Sequence, residues 1–235
     1  MDTVIEPSLP PSLPPSQDLV TRLLRDGDGL ARELRDSPHS GAWIGPLAGV
    51  SAVGAAIFGL AIGLPGGPLQ ALISAVKMPL VMLGSAALSL PLLHVAAARA
   101  GLRLAPARLS AMVLQALATA TTTMSGLAPL ALVFWLSLSL LPGLVDADWY
   151  AYRRFVLAVV AVGGLGGLVG AARLLRELPA RAAFPWAMGL GLAGLQLSWL
   201  LRPVIGSPGP LVLLRPLESS GLAAFIDVVV AILGG

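Results

Sequence analysis

The sequence predicts an all-α fold, a polytopic transmembrane helix bundle, and three observations predict it. First, the 235 residues are 56% hydrophobic and only 11% charged, against about 25% charged in a soluble domain. So little polar surface cannot enclose a water-soluble core, so lipid must be the main solvent. Second, five windows carry no Asp, Glu, Lys or Arg: 43–76, 78–98, 109–145, 155–172 and 182–201. About 18–20 apolar residues suffice to cross a bilayer. Third, on a five-span path the Lys and Arg of the flanking segments divide ten to five between the two sides, which places the richer side in the cytoplasm.

The elements follow in order. Residues 1–16, MDTVIEPSLPPSLPPS, hold five prolines and are expected to form a disordered or polyproline-like tail. They show no basic n-region or apolar h-region, so no secretory signal is expected. In residues 17–38, Leu19, Val20, Leu23, Leu24, Leu30, Ala31 and Leu34 recur at helical spacing with charges opposite. This predicts a cytoplasmic amphipathic helix, most simply one lying on the membrane. A membrane-surface helix is normally rich in Lys and Arg, whereas this one sets four Arg against five acids. That balance equally suits docking on a protein partner or on the chain's own loops. Gly27 and Gly29 weaken the helix by roughly 1 kcal/mol each.

Residues 39–235 form the transmembrane bundle. The first span is expected at 43–64, anchored by Trp43 at the interface, and PGGP at 65–68 turns the chain. The second, 76–98, starts beside Lys77 and ends at Arg99. The third, 109–141, is 33 residues, roughly 50 Å at helical rise. Pro129 removes the backbone bond to Ser125, so a kink or break is expected near 125–129. The fourth and fifth spans are 153–175 and 184–202. GLAAFIDVVVAIL at 221–233, with central Asp227, is too short to span and reads as a short re-entrant or surface helix. With the N-terminus in the cytoplasm, Arg22, Arg25, Arg32, Arg35, Arg99, Arg103, Arg108, Arg173, Arg176 and Arg181 lie inside. Lys77, Arg153, Arg154, Arg202 and Arg215 lie outside. The membrane is the bacterial cytoplasmic (inner) membrane. Fourteen of the fifteen basic residues are Arg, a GC-rich bacterial usage. They are dispersed over the loops, which argues against nucleic-acid binding.

Chemistry is sparse. The chain has no cysteine, which excludes disulfides, thiol catalysis and thiolate metal sites. GLGLAG at 189–194 matches a dinucleotide fingerprint in letters, but it lies inside a span and residue 214 is Leu rather than an acid. Close helix packing is the better reading. The same holds for GGLGGLVG, where Gly163 with Gly167, and Gly166 with Gly170, form two overlapping small-xxx-small faces. His94 has no intramembrane carboxylate to complete a proton relay. Ser125 lacks a histidine placed to activate it. Gln115, Thr119, Thr121, Thr122 and Thr123 make the third span polar, yet threonine in a helix often bonds back to its own backbone. No cofactor or metal is expected, and an enzyme is not expected.

One charge cluster remains: Lys77, Asp146, Asp148, Arg202, Arg215 and Asp227, all near the non-cytoplasmic interface on this topology. Charge at that depth is costly unless paired or snorkelled. Arg202 is therefore expected to pair with Asp227 or with an acid of the 146–148 loop, and the simplest role for such pairs is to fasten the terminal segment to the bundle. WLLRPVIGSPGPLVLLRP, 199–216, ends the fifth span at Trp199 and Arg202. Pro203 stops the helix, and Pro208, Pro210 and Pro216 forbid regular structure in a segment too apolar for open water. It reads as a packed cap.

SAVKMPLVMLGSAALSLPLLHVAAARAG at 74–101, the Ala-Pro at 128–129 and QLSWLLRPVIGSPGPLVLLRP at 196–216 together resemble a group of uncharacterised bacterial multi-pass membrane proteins with a W-x-L-R-P-x-x-G-x-P motif. These in turn distantly resemble Yip1-type bundles, and some are labelled as actin-binding proteins with a WH2 domain. No residue here points to actin. The resemblance covers about 40–235, and Lys77, Pro79, Pro91, Pro129, Trp199, Arg202, Pro203, Gly206, Pro208 and Arg215 match its pattern. Val204 and GLAAF stand where that group usually has aromatics. The resemblance implies fold and topology rather than an activity. The expected function is a non-enzymatic membrane anchor or scaffold subunit, its partners the lipid bilayer and other membrane or cytoplasmic proteins or a second copy. The alternative is a small transporter, channel or lipid-handling protein using the threonine stripe and the Lys77–Arg202 end. Yip1-like trafficking or membrane shaping is a weaker third.

Overall fold

The computed structural model describes residues 16–37, 39–140 and 179–201, with single helical positions at 159, 162, 165, 169 and 172. The described residues form helices α1 (Ser16–Arg25), α2 (Gly27–Asp36), α3 (Ile44–Gly63), α4 (Pro68–Arg99), α5 (Pro106–Leu140) and α6 (Ala180–Leu200), with 3₁₀ turns on either side of α3. Three helical stretches are long and apolar enough to cross a membrane: Ser40–Gly66, Pro68–Arg99 and Pro106–Ser137. Apart from those single helical positions, the fourth span lies outside the described residues, as does the C-terminal helix. So do the glycine faces expected from Gly163 with Gly167 and from Gly166 with Gly170. The same is true of Asp146, Asp148, Arg202, Pro203, Gly206, Pro208, Arg215 and Asp227.

The amphipathic segment is two helices rather than one. Asp26 caps α2, its carboxylate accepting from the Gly29 N–H at 3.1 Å. A Cβ on Gly29 would lie 2.2 Å from that carboxylate, so the glycine that weakens a continuous helix is what the cap requires. The resulting hairpin lies on the chain's own bundle. Leu19, Leu23, Leu30 and Leu34 are fully buried against Trp43, Leu47, Ala111, Leu114 and Ala118. Trp43 is thus covered by the hairpin instead of anchoring in the lipid interface. Arg22 stacks over its ring at 5.7 Å and pairs with Glu33 across the hairpin.

Helix α3 is the hub, packed on both α4 and α5, and α4 also carries α6. Its seams are set by glycine. An added Cβ would meet the Thr121 carbonyl oxygen at 2.9 Å from Gly54, the Ser74 carbonyl oxygen at 2.4 Å from Gly59, and the Ala71 Cα at 2.6 Å from Gly63. Backbones approach this closely only where neither helix presents a side chain. Phe58, Ile62, Met78 and Met124 fill the space beside these contacts.

Helix α4 begins at Pro68, favoured in a first turn, after Gly67 turns the chain at φ 95°. It starts nine residues before Lys77, so the helix extends beyond the expected start of the second span, and Lys77 lies inside it, buried. At its other end α4 stops at a Schellman motif around Gly101 (φ 83°), with Leu102 N–H on Ala97 and Gly101 N–H on Ala98. Helix α5 runs through SGLAP without a break, Pro129 included. Its exposed Pro129 leaves only the Ser125 carbonyl without its usual donor, and a single lost bond does not end a helix that is held on both sides of the proline by packing against α3.

Candidate functional site

Two features of the described bundle bear on function. The first is an apolar groove of about 820 Å³ on its flank. Leu19 and Val20 of α1 close one end. Pro46, Gly49, Val53 and Ile57 of α3 form one wall, and Thr122 and Ser125 of α5 form the other. Gly54 draws the two walls together at its floor through its contact with Thr121. The hydroxyl of Ser125 donates to the Thr122 carbonyl at 2.8 Å, so the wall it belongs to is less polar than its sequence. Gly45 and Gly49 on α3 and Gly126 on α5 have open space where a side chain would stand. Val53, Ile57 and Leu60 continue the α3 face, exposed. The groove therefore lies beside a smooth helix flank bared to the membrane.

The hairpin that closes the groove is locked by one buried bond. Gln115 Nε2 donates to the Gly27 carbonyl oxygen at 2.8 Å. Gln115 is 2% exposed, so this bond gives its buried amide an acceptor at the start of α2, which burial would otherwise deny it. Gln115 belongs to the polar stripe of the third span. Its neighbours in that stripe turn inward on their own helix: Thr119 to Gln115, Thr121 to Leu117 and Thr123 to Thr119, at 2.8–3.1 Å.

The second feature is polar and lies in α4. Gln70, Ser74 and Lys77 fall at i, i+4 and i+7, which puts them on one helical face, and all three are buried. Gln70 Nε2 donates to Ser74 Oγ at 3.3 Å, and Ser74 faces Gly59 of α3. Lys77 is about 33 Å along the helix axis from Arg99, close to the thickness of a hydrocarbon core. With Arg99 at one interface, that distance sets Lys77 near the other, at the edge of the hydrocarbon core. Pro79 follows on the same helix, half-buried.

Of the charge-cluster and motif residues singled out as sites, the structure describes Lys77, Pro79, Pro129 and Trp199, and the contact of Gly84 with Leu197 carries the last turn of α6, with Trp199, toward the Lys77–Pro79 end of α4. Lys77 is in the interior of α4, Pro129 is exposed on α5, and Trp199 is half-buried in the last turn of α6. The rest of the charge cluster lies outside the described residues. So do the packing glycines Gly163, Gly166, Gly167 and Gly170. His94 is exposed near the C-terminal end of α4. Sequence reasoning missed Gln70 and Ser74, and their i, i+4, i+7 spacing with Lys77 is the signal that could find them. The hairpin's lock on Gln115 leaves no such signal, since nothing in sequence ties residue 27 to residue 115. Comparison with protein-family models, with curated proteins and with solved structures yields no match to the chain.

Proposed function

We propose that the chain is a non-enzymatic anchor or scaffold subunit of a bacterial membrane protein assembly, with five spans in the inner membrane and a cytoplasmic N-terminus. The supporting observation is the bared flank of α3. Gly45 and Gly49 make a small-xxx-small pair with open space over both, beside a ready-made apolar groove. In lipid, helices associate through close van der Waals packing at such positions. The hairpin's own apolar face is used up inside the molecule, which moves the docking surface from the amphipathic segment to the bundle flank. Solubilising the native membrane in mild detergent tests this. A defined larger assembly, dispersed by Gly49→Leu while the chain itself stays folded, is the expected result. A monodisperse monomer with nothing attached would contradict it.

The same groove favours a second reading, lipid handling, since an apolar cleft of about 820 Å³ is within the range of ligand sites and suits acyl chains. The inward bonding of Thr119, Thr121 and Thr123 takes support away from a polar conduit along α5. Lipid retained from the host membrane after extensive detergent exchange, and lost on Gly49→Leu with no change in assembly size, would favour this second reading over the first.

A further inference from the structure

The arginines at one end of the bundle divide into two groups. In the hairpin, Arg22 pairs with Glu33 and Arg35 with Asp36, and Arg25 and Arg32, without an ion pair among the described residues, stand in a segment that carries five acids. At the α4–α5 turn, Arg99, Arg103 and Arg108 have no ion pair among the described residues, and neither has Arg181 at the start of α6. No acid occurs between Arg99 and Arg108, and the first turns of α5 and α6 carry none. The four are nonetheless held in one place. Arg181 Nη2 donates to the Ala100 carbonyl oxygen at 3.0 Å, tying α6 to the end of α4. Leu102, Leu104, Leu109, Ala182 and Ala183 pack together beneath them. The Nε of Arg108 is buried with no acceptor among the described residues, so internal bonding does not explain its position.

What lies below these charges identifies the partner. On α4, Leu88, Leu92 and Val95 are exposed at the spacing that leads up to Arg99; on α6, Phe184, Met188 and Leu192 are exposed at the spacing that leads away from Arg181. Helices α4 and α6 are antiparallel: Arg181 meets Ala100, Gly189 lies against Leu92, Gly194 against Ser85 and Leu197 against Gly84. That register sets Arg181 level with Arg99, and each helix carries an apolar stripe below its arginine. Unpaired cations above lipid-facing apolar stripes match a molecule with an anionic head and acyl tails. An acidic protein surface would meet the cations but not the stripes.

We propose that the Arg99–Arg103–Arg108–Arg181 rim is a binding site for the phosphate-bearing headgroups of anionic phospholipids, the acyl chains lying along α4 and α6. Guanidinium groups suit it because their forked N–H donors match phosphate oxygens in pairs. Basic residues near an anionic leaflet contribute about 1 kcal/mol each, which corresponds to roughly fivefold in retention per arginine.

The test is native mass spectrometry of the full chain in detergent, offered equal amounts of phosphatidylglycerol and phosphatidylcholine. Preferential retention of phosphatidylglycerol is expected, reduced roughly fivefold by Arg103→Gln, restored in part by Arg103→Lys, and unchanged by Arg25→Gln in the hairpin. Arg103 is exposed in the turn, so its substitution leaves the bundle folded; unchanged helix content checks this, and Arg181→Gln is the second variant. Equal retention of the two lipids, or equal loss in the Arg25 variant, would overturn the proposal. So would displacement by millimolar inorganic phosphate, which would make the rim a free-anion site. Displacement by an acidic peptide, with no lipid preference, would make it a protein site and overturn it as well.

Discussion

The two halves of α3 use glycine in opposite ways. Gly54, Gly59 and Gly63 each press on the backbone of α4 or α5, at distances no Cβ would tolerate. Gly45 and Gly49, on the same helix, press on nothing. A glycine in a helix interior costs about 1 kcal/mol relative to alanine. In the C-terminal half, with Gly54, Gly59 and Gly63, the close packing of three helices offsets that cost. In the N-terminal half, at Gly45 and Gly49, nothing in the described chain does, and this is the physical reason to look for another helix there.

The largest expected effect sharpens the close-packed half of this comparison. Gly59→Leu drives a side chain into the Ser74 carbonyl and forces α3 and α4 apart, costing about 3 kcal/mol or more; loss of the thermal unfolding transition in detergent, or a large fall in its midpoint, would show it. Gly49→Ala in the N-terminal half of α3 should leave that midpoint unchanged or slightly raised, because open space receives the methyl. Next, Leu30→Ala empties a fully buried position under the hairpin and should cost about 2–3 kcal/mol of docking, read as faster proteolysis at the hairpin while the spans stay protected. Gln115→Leu removes the donor to Gly27 and should cost about 1–2 kcal/mol, seen as earlier hydrogen exchange in α1 and α2. The smallest effect belongs to Glu33→Gln: its pair with Arg22 is partly exposed, so at most about 1 kcal/mol is lost, and less at high salt.

The all-helical class and the first three membrane-length helices were legible, because charge is excluded from lipid and its absence over 20 or more residues has few other causes. Boundaries were less so. Lys77, a lone lysine, marks the edge of a span, but a helix need not begin where a span does: this one opens at Pro68 and buries Lys77 inside it. The amphipathic segment was visible, but periodicity states only that an apolar face must be covered. It does not say by what. The answer depends on Leu47, Ala111 and Ala118, residues that in sequence read as ordinary span interior. The same limit applies to the candidate site: a glycine packed at 2.4 Å and a glycine facing open space are the same letter, and only tertiary contact separates Gly59 from Gly49.

Cysteine crosslinking reads that separation directly, and the chain supplies a clean background because it has no cysteine. Single cysteines at Gly49 on the bared face and at Leu72, exposed on α4, are to be crosslinked in native membranes with a short homobifunctional or photoactivatable thiol reagent. A discrete adduct is expected from position 49, to a second copy or to one other membrane protein, and none from position 72. A cysteine at position 49 that labels freely from the lipid phase and joins nothing would contradict a docking role for this flank.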